Sequence, residues 1–181
     1  MLRIRTPSLR RVAHDERGVS AVEFALVAPL LIGLYLGCVE ISEGVAADRK
    51  VTLVASTVAN LVAQSTNLST SDMSNALDAS GAIIAPYSSS RLAITVSCIS
   101  IDANKKATVK WSATRNGTPL SGSVSIPTDL QVANTQLVYA QASYAYTPVI
   151  AYTITGTMNL SEKMYMVPRI TPPTYNSTAC T

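Results

Sequence analysis

The chain has 181 residues, 48% of them hydrophobic and 14% charged, with a formal net charge of +3. That length holds one modest domain and an anchor. The basic excess sits in a short leader, where Arg3, Arg5, Arg10, Arg11 and Arg17 face only Asp15 and Glu16, and the rest is neutral; this argues against a nucleic-acid-binding face.

Behind the leader, residues 19–39 read VSAVEFALVAPLLIGLYLGCV, with Glu23 the only charge. As a helix this run measures about 31 Å, close to the hydrocarbon thickness of a bilayer. A buried core helix seldom stays apolar on every side for that length. The pattern predicts a membrane helix over 19–40. The arginines of residues 1–18 hold that leader in the cytoplasm and send the following residues to the periplasmic side.

Three processing fates present themselves. An ordinary secretory signal has a shorter apolar stretch followed by a small-residue cleavage site, and EISEGVAADRK does not supply one. A lipoprotein signal would lipidate Cys38, but Tyr35 fits poorly where Leu is usual. Cleavage between Gly18 and Val19 would leave the whole helix in place. That cut makes Glu23 the fifth residue and creates an amine at the helix tip. An ammonium in hydrocarbon is costly unless paired. The Glu23 carboxylate, on the same chain or a neighbour, supplies the partner and favours the positive end of the helix dipole. Left unprocessed, Glu23 would reach the interface by snorkelling.

The stretch RGVSAVEFALVAPLL resembles the N-terminal signature of the TadE-like family, minor pilin-like components of bacterial tight-adherence (Tad, or Flp) pili. Gly18, Glu23 and Phe24 occupy the family's Gly, Glu and aromatic positions, Phe24 standing where Tyr is commoner. Pro29 also fits the pattern, and physically it removes a backbone donor and kinks the helix. The resemblance implies a pilin-like subunit in the inner membrane and processing by a prepilin peptidase. It also implies contacts with other TadE/TadF-like minor pilins, the major Flp pilin and the Tad membrane platform.

Residues 41–65 extend the same helix beyond the membrane. Ile41, Val45, Val51, Val54, Val58, Leu61 and Val62 recur at helical spacing, while Glu40, Glu43, Asp48, Arg49 and Lys50 are free to face water. Residues 66–181 form an extracytoplasmic head. It opens with a helix capped by Ser69 and Asp72, with Met73, Leu77 and Ile84 on one side and Gly81 or Pro86 as stops.

The period then becomes two. RLAITVSCIS sets Leu92, Ile94, Val96 and Cys98 on one side, and KKATVKWSAT sets Ala107, Val109 and Trp111 on one face of a hairpin partner. NGTPLSGSVSIPTD reads as a surface loop. TQLVYAQASYAYTPV forms a third strand with Tyr139, Tyr144 and Tyr146 on one face, and KMYMVPRI a fourth. The expected fold class is α+β and pilin-like: a long N-terminal transmembrane and amphipathic helix, then a small head of one helix and an antiparallel sheet.

Cys98 and Cys180 both fall outside the membrane, where a disulfide can form; the alternative is two thiols. Chemistry is sparse. The only histidine is His14, so the head lacks a Ser-His-Asp or Cys-His set and a histidine-bearing metal site. No phosphate-binding Gly-rich motif occurs. Asp72, Asp78, Asp102, Asp129 and Glu162 are scattered, and Lys105, Lys106 and Lys110 suit a solvated strand edge. No catalytic residue, metal or cofactor is expected. Two function classes follow: a structural assembly subunit, or a bitopic or lipid-anchored periplasmic protein whose head holds a ligand or adheres.

Overall fold

The computed structural model describes residues 18–149 and 156–181. Residues 1–17, with His14, lie outside the described residues. Two compact units divide the chain after Ile41. In the first, the described residues are the opening of helix α1 (Val19–Gln64), with Pro29 inside it. Tertiary overlap with other elements is not needed to explain this helix, because Leu, Ala and Val dominate it and every backbone bond is internal.

The second unit, from Ser42 on, contains the rest of α1 and the head. Its remaining elements are β1 (Asn67–Leu68), α2 (Thr70–Ile84), β2 (Leu92–Ile101), β3 (Ala107–Arg115), β4 (Thr135–Tyr146), β5 (Met158–Met166) and β6 (Thr174–Tyr175). Four strands make an antiparallel sheet in the order β3-β2-β4-β5. The fold class is therefore α+β, with one long apolar N-terminal helix preceding a small head of helix and antiparallel sheet.

Within this unit α1 buries a stripe of small residues: Ala47, Val51, Val54, Ala55, Val58, Ala59, Val62 and Ala63. These recur at three- and four-residue steps and so share one face. The stripe differs from the sequence expectation. Val45 and Leu61 are exposed, and alanines take the buried places. Apolar character alone does not separate these positions; alanine and valine lie inside because they let a backbone approach closely. Against them pack Ile94, Val96 and Cys98 from β2, Val138, Ala140 and Ala142 from β4, and Met73, Leu77 and Ile84 from α2.

Helix α2 starts as its sequence dictates. The Ser69 hydroxyl accepts from the Asp72 amide (3.2 Å), and the Asp72 carboxylate accepts from the Ser69 amide (3.0 Å). The helix runs through Gly81 and stops at Ile84, two residues before Pro86, since a residue preceding proline disfavours helical geometry.

Three strand expectations are corrected. The β2–β3 register slips between Cys98 and Ile99, so Cys98 pairs with Trp111 but Ile99 with Val109. This bulge flips the side-chain phase. Trp111 therefore joins the α1-side core, while Ala107 and Val109 belong to a second cluster on the opposite face. In β4, Tyr144 and Tyr146 face α1 but Tyr139 faces the second cluster, as its odd spacing requires. The fourth strand begins at Met158, earlier than KMYMVPRI suggests, and pairs Tyr146 with Met158.

The segment read as a surface loop covers the second face. Ile126 is buried there, with Leu120, Val124 and Leu130 packed around Ile99, Ile101, Leu137 and Tyr139. It also lies along the β3 edge, where Val109 donates to the Gly122 carbonyl (2.9 Å) and Val124 donates to the Ala107 carbonyl (3.1 Å). Gly122 takes a φ of +73° there, a region that favours glycine.

The C-terminal stretch closes the head. β6 pairs in parallel with β1, matching Asn67 to Thr174 and Leu68 to Tyr175. The Trp111 indole donates to the Pro173 carbonyl (3.0 Å). Cys180 is joined to Cys98 with Cα atoms 5.8 Å apart. Closing a loop of 82 residues' separation stabilises a fold by about 2–4 kcal/mol.

Candidate anchoring and assembly segment

The first part of α1 is apolar on every side. Val22, Phe24, Leu26, Leu30, Ile32, Leu34 and Tyr35 are all exposed. They step around the helix at 100° per residue without leaving a polar face. None of the most apolar 18-residue window is buried. So large an uncovered apolar surface does not stay in water; hydrocarbon or neighbouring helices must cover it. The helix is long and apolar enough to cross a membrane.

Glu23 sits in this surface, exposed, one helical turn from Val19. Gly18 and Val19 are exposed as well, and nothing lies near the Gly18 Cα on its side-chain side. Phe24 points outward with 71% of its surface exposed. Pro29 lies eleven residues into the described part of the chain, within continuous helix. Gly18, Val19, Glu23, Phe24 and Pro29 are thus all on one short, open stretch. Cys98 and Cys180 belong to the head and lie outside it. Cys38 is exposed and takes no part in the disulfide.

In the head the polar groups are occupied structurally. Asp78 pairs with Arg115 (3.0 Å). Asp102 organises the β2–β3 turn by accepting from the amides of Asn104 and Lys106 (both 2.8 Å). Lys105 is in that turn at a φ of 61°, and Lys110 falls at the bulge on the edge strand β3. No group of three His, Cys, Asp or Glu residues suited to a metal occurs among the described residues. A shallow cleft of about 450 Å³ lies between α2 and β3, with Met73, Leu77, Asp78, Ser112 and Arg115 in its walls.

Two contacts that sequence reasoning missed fasten α1 to the head. The Lys50 ammonium donates to the Ile83 carbonyl (3.2 Å) and to the Ala85 carbonyl. It thereby satisfies the orphan C-terminal carbonyls of α2 and favours the negative end of its dipole. The Tyr87 hydroxyl donates to the Glu43 carboxylate (3.1 Å), and its ring packs near Tyr144 and Tyr146. Burial first, and then the hydrogen bond and charge of Glu43, push its pKa up to about 12. Both pairs are more than thirty residues apart in sequence, so local pattern carries no signal for them.

Among the described residues, one N-terminal apolar helix long enough to cross a bilayer precedes the α+β head, which is consistent with a membrane-anchored protein. Residues 18–60 match the family model described as TadE-like protein, so this N-terminal part of the chain is TadE-like. The match begins at Gly18 and runs through most of the buried alanine–valine stripe. The matched family is a pilus-associated structural family. No curated protein and no solved structure matches the chain.

Proposed function

We propose that this protein is a minor pilin-like (pseudopilin) subunit that primes, caps or supports a Tad pilus. The observation that carries the reading is the all-round apolar exposure of α1 up to Val39 with one acid, Glu23, as the fifth residue after the proposed cut. A prepilin peptidase cuts between Gly18 and Val19. The new Val19 ammonium and the Glu23 carboxylate, on one chain or adjoining chains, neutralise each other in the low-dielectric layer. Apolar helices of this protein, its TadE/TadF-like siblings and the major pilin then pack side by side. Pro29 frees one carbonyl and permits the bend such a bundle needs. The leader stays cytoplasmic and the head periplasmic, the compartment in which a Cys98–Cys180 bridge persists.

N-terminal sequencing of the protein purified from its producing cell tests the processing step. A start at Val19 is expected; a start at Met1 refutes cleavage, and a blocked Cys38 indicates lipidation. Glu23→Leu tests the assembly step. It should abolish or strongly reduce pilus production while the protein accumulates normally in the membrane. A passive anchor carrying a ligand-binding head would tolerate that change, so undiminished pili would overturn the subunit role.

A further inference from the structure

β3 ends the sheet on one side and β5 on the other. The outer edge of β3 is covered along its first half. There the Val109 amide donates to Gly122, the Val124 amide donates to Ala107, and Thr108 bridges Ser123. Among the described residues that bridge is the only strand pairing on the outer side of β3. Residues 112–115 have no second strand beside them. In an antiparallel strand every second residue turns its N–H and C=O outward. The second half of β3 thus presents a short row of donors and acceptors, a template for another extended chain.

The cleft between α2 and β3, of about 450 Å³, follows this half of the strand. Residues 112, 113, 114 and 115 all line it, although successive strand side chains point to opposite faces. A cleft that touches all four runs along the edge and not over one face. Its two sides differ. On the side of Ala113 stands α2, with Met73, Ser74 and Leu77. On the side of Ser112 and Thr114 stands Pro119, beside Leu120, whose amide donates to the Ser112 hydroxyl (3.0 Å). Arg115 closes one end by reaching across to α2, where it meets the Asp78 carboxylate (3.0 Å) and the Leu77 carbonyl (3.4 Å).

These walls decide the occupant. A second copy could offer its own β3 edge only with its own α2 and loop alongside, and pairing the two edges would drive wall against wall. A lone extended segment carries no walls. We propose that the groove takes an extended segment of a partner polypeptide, which adds a strand to β3 at residues 112–115. Its small apolar side chains would face Met73, Leu77 and Ala113, and its alternate polar ones Ser112 and Thr114. Main-chain bonds supply the affinity in such strand addition, and alternate side chains the choice of partner. The groove belongs wholly to the unit from Ser42 on, so the proposal goes beyond the subunit role and stands whether or not the chain is cut at Gly18.

The test uses the full chain in detergent and a short capped peptide of alternating valine and serine. Amide hydrogen exchange is followed by NMR, with β5 as the control edge. Peptide should slow exchange of outward-facing amides within residues 112–115 at least about tenfold and leave β5 unchanged. The same peptide methylated on every amide nitrogen, which cannot form a ladder, should have no effect. Ser74→Trp, at an exposed wall position, should fill the groove and abolish the protection while the thermal melt stays that of the parent. No protection at saturating peptide overturns the proposal, as does equal protection of β5 or equal action of the methylated peptide. Protection that appears without peptide and grows with protein concentration would assign the edge to a second copy and overturn it too.

Discussion

The two parts of α1 are built from different apolar residues. Before Ile41 the large exposed apolar side chains are Leu, Ile, Phe, Tyr and Val, spread around the whole circumference. After Ser42 the buried positions are only Ala and Val, confined to one face. The contrast separates two physical tasks. A helix facing lipid gains from large side chains in every direction, since hydrocarbon conforms to any shape. A helix packed on a sheet needs side chains that fit a surface of fixed shape, and close-packed interiors reward small ones at the point of nearest approach.

That difference is sharpest for charge. Val58→Asp places a carboxylate where the side chain is fully buried. It should destabilise the head by about 4 kcal/mol or more, enough to abolish a cooperative thermal transition in a modest domain. Ile32→Asp, at a 58%-exposed site before Ile41, should leave the head's melting unchanged in detergent and reduce membrane insertion. Thermal melts of both variants, with membrane fractionation, check the pair. Equal melting of the two would erase the distinction.

Size gives the next test. Ala55→Leu adds volume where the exposure is 0%, and overpacking of this kind costs about 1–3 kcal/mol. Ala25→Leu makes the same change at an exposed position and should leave the unfolding midpoint where it was. Denaturant titration in detergent reads both. If Ala55→Leu melted like the parent, the stripe would not be in close contact with the sheet.

The sequence made the first part of α1 legible because its signal is compositional and local. A long apolar run behind a basic leader needs no tertiary information. The capping of α2 was equally readable, since Ser69 and Asp72 are three residues apart. The stripe in the second part of α1 was readable as a helix but not as a face. Leu61 and Val45 look more buriable than Ala47 or Ala59, and only the sheet's proximity decides otherwise. The Cys98/Ile99 bulge inverted the expected face of Ala107 and Val109, because a single inserted residue leaves no mark in an alternating pattern. Covering of the second sheet face by Leu120, Val124 and Ile126 was hidden among turn-forming residues. The proposed anchoring and pairing site at Gly18 to Pro29 lay wholly within the legible part, being contiguous. The Lys50 and Tyr87 contacts lay outside it, being long-range.

Titration tests the head side of the comparison further. Burial and Glu43 raise Tyr87, and burial with the nearby Tyr165 raises Tyr139, each to about 12 from an ordinary 10.0. A raised tyrosine pKa means the folded state holds its proton more tightly. The associated stability is complete below pH 10.0 and is lost as pH rises towards 12. Melting temperature should therefore fall across that range, and the fall should shrink in Tyr87→Phe with Tyr139→Phe. An unchanged alkaline slope in the double variant would assign the loss elsewhere.

The smallest expected effect concerns the start of α2. Hydrogen bonds from the Ser69 hydroxyl and then the Ser69 amide hold the Asp72 carboxyl below its ordinary value of 3.8. A lowered carboxyl pKa contributes stability above the unfolded value and loses it as pH falls below 3.8 through the folded one. Asp72 is fully exposed, so the acid-side change is small and solvent-screened. Ser69→Ala removes the reciprocal bond and should cost about 1 kcal/mol at neutral pH. In that variant the Asp72 resonance, followed by carboxyl NMR, should titrate closer to 3.8. If it titrates where the parent's does, the capping hydrogen bonds are not what holds the carboxyl down.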